Sequence, residues 1–350
     1  MYEYDILIIL GLVTIVFSWL DIFDVSLLFR KIILCLLMVL SLYAGYINFP
    51  NSADFGIYNV MYFAGASDQF IFSELKDGII DYGFLWFWTI IKSVGGDIYN
   101  AYFVTCAISL FFYYISITRY TAYILTVWSL FYVRFFLACN VIQIRQGLAM
   151  ALILFGVQYV ERKCFLKYLL VVLVASLIHK TMIVTILLYP LSFINWNISK
   201  FFSAIVFFTL PLVAWGKAIF FYMILAVGIG AEKLYDYEGS MYFVEASNLA
   251  ILMRGLPILL CAYYLMLIKK EKYTNTFISM LFCGYLFVVL SKELAILGRV
   301  TSIFFLCMNF MPMYLLYRYK KISHKLFIML LISLFSSVLF LKNIVFFTSV

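Results

Sequence analysis

Charged residues are scarce in this chain. Asp, Glu, Lys and Arg make up 12% of 350 residues, about half of the roughly 25% found in globular domains. So few polar groups cannot cover a folded surface of this size in water. That excludes a cytosolic enzyme, a secreted domain, a coiled coil and a disordered chain. Histidine is nearly absent, with only His179 and His324, which speaks against a histidine-rich metal centre. The seven cysteines form no CxxC, so neither a disulfide framework nor a zinc site is expected. There is no P-loop, GxGxxG, HExxH, GxSxG or DxD, and the acids show no EF-hand spacing. A nucleotide-driven reaction is therefore not expected, and neither is a metal or other cofactor. Alternating ten-residue strands are missing as well, which excludes an outer-membrane barrel.

What is present is apolar. Hydrophobic residues make up 66% of the chain and aromatic residues 20%, with a mean hydropathy of +1.07. Lipid is the solvent for most of such a sequence, and backbone groups in lipid must be satisfied within the helix. Apolar runs predict helices near 5–20, 31–49, 99–117, 121–139, 142–160, 165–178, 181–194, 201–228, 248–268, 274–291, 299–317 and 326–347. The expected fold is all-α, a polytopic transmembrane bundle of about 11–12 helices, since a crossing needs about 20 residues. Residues 1–350 read as one integral membrane domain. Met1-Tyr2-Glu3-Tyr4-Asp5 has neither a positive n-region nor a cleavage site, so the first helix is expected to be retained.

The net charge of +8 reads as the residue of the positive-inside rule, not as a nucleic-acid surface. The basic loops Glu161–Lys167, Lys269–Lys272 and Arg318–Lys325, with Arg30-Lys31, are expected to be cytoplasmic. Two polar segments, about 50–81 and about 230–247, then fall outside as short outer loops. The run Tyr82–Val94, closed by Gly95-Gly96-Asp97, breaks the parity of later helices if it crosses. It reads as re-entrant or as lying in the outer interface.

Against that topology, several polar residues are out of place. Arg145 sits near the outer start of a helix that ends at the cytoplasmic Glu161. An intramembrane Arg is costly and marks function by default, with snorkelling to outer headgroups as the alternative. His179-Lys180 interrupts some thirty apolar residues at an outer turn; the histidine reads either as a structural residue or as a proton carrier. Arg254 and Arg299 open later helices, and Arg134 lies in an apolar run. Arginine forks suit phosphate or diphosphate, so the set points to an anionic lipid headgroup reached from outside. Asp81-Tyr82-Gly83 and Tyr235-Asp236-Tyr237-Glu238 combine carboxylates with aromatic faces, which suits sugar rings, although a solvated loop remains the plainer reading.

With these residues assembled, the chain resembles the EpsG/Wzy-type family of bacterial polysaccharide polymerases. The resemblance rests on Asp81-Tyr82-Gly83-Phe84, Ile144-Arg145-Gln146-Gly147, Ser176-Leu177-Ile178-His179-Lys180, Tyr235-Asp236-Tyr237 and Gly298-Arg299. At Asp81 the family often carries Glu. The resemblance implies a multi-pass protein of the bacterial cytoplasmic membrane. It implies that the protein joins undecaprenyl-diphosphate-linked oligosaccharides into O-antigen, capsule or exopolysaccharide at the outer face. The implied diphosphate-binding residues are Arg145, Arg299, Arg254 and Lys180. His179, Asp81 or Glu238 would take the proton, and Tyr82, Tyr235, Asp236 and Tyr237 would meet the sugar. Besides the lipid-linked substrate and membrane lipids, a chain-length regulator and a flippase are the implied partners. An O-antigen ligase would have a larger outer domain than 230–247. A flippase or transporter would show repeated halves and midplane charges. A membrane acyltransferase would use His179 but leave the arginines unexplained.

Overall fold

The structure is a computed structural model that describes residues 5–64, 82–226, 248–268, 272–291 and 297–348. The described residues are helical almost throughout, and no strand occurs among them. Helix α1 is Asp5–Ser18. Helix α2, Leu27–Asn48, starts at Ser26, whose hydroxyl accepts the Phe29 N–H at 3.3 Å. Helix α3, Phe55–Ala64, and α4, Tyr82–Ser93, are short. Helix α5, Ile98–Tyr120, starts at Asp97, whose carboxylate accepts the Asn100 N–H at 2.7 Å. This cap satisfies one of the orphan donors of the first turn.

Helix α6, Ile124–Phe131, does not end where its α-helical pitch ends. It widens into a π-helix over Tyr132–Ile142. Helices α7, Ile144–Glu161, and α8, Phe165–Ile178, follow. The predicted helix near 181–194 is instead a 3₁₀-helix, Lys180–Leu187, running into a single α turn, Leu188–Leu191. Helix α9, Ile198–Ala226, kinks at Trp215, four residues after Pro211. Helix α10 is Asn248–Ile268 and α11 is Thr274–Leu290. Helix α12, Leu297–Phe305, continues through a 3₁₀ turn into Met311–Arg318, and α13 is Ile322–Thr348.

Seven helices among the described residues are long and apolar enough to span a membrane, as a multi-pass membrane protein requires. Helix α4 is not one of them. Its 12 residues reach about 18 Å at 1.5 Å per residue, well short of a hydrocarbon core of about 30 Å.

The chain gathers into two compact units, one of residues 1–156, 169–183 and 312–350, the other of 157–168 and 184–311. The first unit has two distinct ends. At one, the Asp21 carboxylate accepts the Thr126 N–H at 2.7 Å and meets Arg30 Nη1 at 3.3 Å. Arg30 also donates to the Ala122 carbonyl at 3.0 Å, the Ala122 N–H donates to the Tyr317 hydroxyl, and Lys325 lies over the Tyr123 ring. Two of the loops that the sequence assigns to the cytoplasm, Arg30-Lys31 and Arg318–Lys325, thus share one end of this unit. Helix α2 carries the chain about 33 Å from there, at 1.5 Å per residue, to Asn48 and Phe49 at the other end.

In the second unit, the basic loop after α7 is tied down in the same manner. Lys163 Nζ donates to the carbonyl and hydroxyl of Ser192 at 2.6 and 2.8 Å. The Thr276 hydroxyl donates to Glu161 at 2.8 Å. Lys163 itself takes a left-handed backbone, φ 55°, which turns the chain sharply between α7 and α8.

Candidate functional site

The site is built on the junction between the π-helix and α7. A π-turn closes on the fifth residue back, and here the Gln143 N–H donates to the Ala138 carbonyl at 2.8 Å. The chain then breaks at Gln143 (φ −93°, ψ 59°) and restarts as α7. Gly147 makes the restart possible. A Cβ there would collide with the Cys139 carbonyl, so only glycine lets the first turn of α7 press on the π-helix backbone. Helix α5 clamps the junction from the side. The Tyr102 hydroxyl and the Cys106 thiol donate to the Asn140 carbonyl at 2.9 and 3.1 Å. The Asn140 amide donates to the Ser109 hydroxyl at 3.1 Å, and the Tyr113 hydroxyl to the Gly147 carbonyl at 3.3 Å.

This clamp fixes Arg145 in the first turn of α7. A cation there runs against the helix dipole, whose positive pole lies at that end. The guanidinium and the helix end add their positive fields, an arrangement that favours an anion. Arg145 is half-buried, and its guanidinium carbon lies 5.7 Å from the centroid of the Tyr58 ring. It also hydrogen-bonds Tyr58. Tyr58 is 1% exposed, packed among Phe49, Phe84 and Trp88 with centroids at 6.2, 6.3 and 5.7 Å. Burial pushes its phenol up to about 12; the Arg145 charge opposes that rise and the Asp54 carboxylate reinforces it. The hydroxyl is therefore protonated at neutral pH. Asp54 lies one turn before Tyr58, whose N–H donates to its carbonyl at 3.0 Å.

A second cation joins the same end. Lys180 Nζ lies 5.5 Å from the centroid of the Tyr82 ring. Gly83, next to Tyr82, packs so tightly on the end of α8 that a Cβ would stand 2.6 Å from Leu177 Cβ. Thus the start of α4 meets the end of α8, and Tyr82 and Lys180 are held together. His179 is half-buried between Lys180 and the last turn of α8, where its N–H donates to the Ala175 carbonyl at 2.8 Å. Because Phe84 touches Tyr58, one aromatic ridge underlies both cations.

Among the sequence candidates, the first unit gathers Arg145, Tyr82, His179 and Lys180 at one end. Arg134 lies in the π-helix, its guanidinium carbon 5.1 Å from the Phe135 centroid. Arg254 and Arg299 belong to the second unit. Arg254 is exposed on α10, beside Gly255, whose α-carbon faces Tyr285 of α11. Arg299 lies on the first turn of α12; its side chain is outside the described residues. Asp81, Tyr235, Asp236, Tyr237 and Glu238 also fall outside the described residues. Two residues escaped the sequence reading as site residues. Tyr58 is one tyrosine among 28, and Asp54 falls within the polar segment of about 50–81. Their signal is the spacing Asp54-x-x-x-Tyr58-x-x-x-Tyr62, which places the three side chains on one helical face.

A family model described as the EpsG family matches residues 30–349. No curated protein and no solved structure matches the chain.

Proposed function

The chain belongs to the EpsG family, a family of Wzy-type polysaccharide polymerases, and on that premise we propose that it joins undecaprenyl-diphosphate-linked oligosaccharide repeat units at the outer face of the bacterial cytoplasmic membrane. The product is O-antigen, capsule or exopolysaccharide. The observation that carries this reading is Arg145, held over Tyr58 in the first turn of α7, at the end where Lys180 lies over Tyr82. Two cations, each over a tyrosine ring, and a helix N-terminus suit a diphosphate.

In the proposed reaction a hydroxyl of the acceptor unit attacks the anomeric carbon of the donor sugar. The new glycosidic bond forms as the bond from that carbon to the diphosphate oxygen breaks. Undecaprenyl diphosphate leaves with the electron pair. Arg145 and Lys180 hold the diphosphate and stabilise the charge it gains; Arg254 and Arg299 are proposed as diphosphate-binding residues on the family resemblance. The acceptor proton passes to a base, for which His179, Asp81 and Glu238 are the proposed groups. Tyr82, Tyr235, Asp236 and Tyr237 stack on and hydrogen-bond the sugars. Diphosphate is already a good leaving group, so the proposal includes no cofactor. The chain-length regulator and flippase are proposed as protein partners because they would act on the same glycan.

The test is the length distribution of surface glycan in a strain lacking the gene, complemented by wild type, Arg145→Ala or Arg30→Ala. We expect deletion to collapse the ladder to a single repeat unit. Arg145→Ala should fail to restore it at normal protein level, whereas Arg30→Ala should restore it in proportion to the protein present. Long chains that persist but stay off their final acceptor would make the protein a ligase. Absence of any repeat unit at the outer face would make it a transporter.

A further inference from the structure

Tyr58 has no role in the proposed reaction, yet it is almost fully buried. The ring fills a buried aromatic cluster where phenylalanine would fit without burying a hydroxyl. A buried hydroxyl is costly unless it is hydrogen-bonded, and here Arg145 is the partner. The same ring lies under the guanidinium, so face and hydroxyl act on one group. The support behind Tyr58 is rigid. Phe49 stacks on Tyr102 with centroids 4.2 Å apart, and the Trp88 indole N–H donates to the Thr105 hydroxyl at 3.0 Å. Both Tyr102 and Thr105 are on α5, the helix that clamps the π-helix junction. Two supports, both resting on α5, therefore converge on Arg145: one through the π-helix junction beneath it and one through Tyr58.

We propose that Tyr58 is a positioning residue, which fixes the Arg145 guanidinium in advance for the diphosphate of the lipid-linked substrate without touching that substrate itself. The inference rests on the diphosphate reading above. An arginine stem loses rotamer freedom when its head binds, and a ring and hydroxyl that already hold the head reduce that loss.

The test uses the full chain in phosphatidylethanolamine–phosphatidylglycerol nanodiscs, titrated with undecaprenyl diphosphate and, separately, undecaprenyl monophosphate. Tyr58→Phe keeps the ring and its packing and removes only the hydroxyl; Arg145→Lys keeps the charge and removes the fork. Tyr58→Phe should weaken diphosphate binding roughly tenfold, the scale of one hydrogen bond to a charged group, with an unchanged melting temperature. The double variant should bind no more weakly than Arg145→Lys alone, because Tyr58 acts through the guanidinium. A Tyr58→Phe protein that binds like wild type would overturn the proposal, as would a double variant showing the product of the two single losses. Wild-type protein that does not prefer the diphosphate would instead remove the functional reading on which the proposal rests.

Discussion

Arg30 and Arg145 stand at opposite ends of the same unit, and their partners differ. Arg30 meets the Asp21 carboxylate and the Ala122 carbonyl. Both are acceptors of one nitrogen, Nη1, and the result ties the turn after α1 to the turn between α5 and α6. Arg145 meets the ring and hydroxyl of a buried tyrosine. A ring attracts a cation through its quadrupole yet carries no net charge, so this contact by itself does not neutralise the guanidinium. The first arrangement closes a bundle end. The second orients a cation at the end where Lys180 lies over Tyr82. Topology alone would class both residues as helix-end arginines; their partners differ in kind.

The sharpest break of this comparison comes from the backbone beneath Arg145. Gly147→Ala places a methyl against the Cys139 carbonyl. Overpacking of that kind costs about 1–3 kcal/mol, and here it also displaces the first turn of α7. We expect a lower melting temperature together with a loss of polymer that exceeds the loss of protein. Gly56→Ala is the control, since nothing lies within 4 Å of a Cβ there; it should leave both readouts unchanged.

A smaller effect sharpens the other end. Burial pushes the Asp21 carboxyl up from 3.8 to about 6, opposed by the Thr126 and Arg30 contacts. The folded chain thus holds that proton more tightly than the unfolded one. The associated stability is fully present below pH 3.8 and is lost as pH rises through about 6. Between pH 5 and pH 7 it falls by about 1 kcal/mol, from the usual conversion of 1.36 kcal/mol per pKa unit. Melting curves across that range should show a decline in wild type and none in Asp21→Asn.

Much of the fold was legible because lipid leaves the backbone few options. Uncharged runs such as Ile98–Thr118 had to be helices. The widening of α6 over Tyr132–Ile142 was not legible. That span is buried on most sides, so no apolar stripe exists whose period could reveal an extra residue per turn. The 3₁₀ segment Lys180–Leu187 escaped for a related reason, since apolar side chains tolerate either pitch. At the site, Arg145 and His179-Lys180 announced themselves as charges on the wrong side of a positive-inside pattern. Tyr82 was found through its place beside Gly83, and the close packing of Gly83 on Leu177 accounts for that pairing. Tyr58 could not stand out among so many aromatic residues. Its meaning lies in a contact 87 positions away along the chain, between α3 and α7, and no local pattern encodes such a distance.

The central claim is that the Arg145 end drives transfer from a diphosphate. Its most direct test is purified protein in nanodiscs, supplied with lipid-linked repeat units, with glycosidic bonds formed and undecaprenyl diphosphate released counted in one reaction. The account predicts one diphosphate released per bond formed, and a rate in Arg145→Ala lower by about a hundredfold, the scale of one lost charge-stabilising donor. Full-rate polymerisation by Arg145→Ala, or bond formation without released diphosphate, would contradict it.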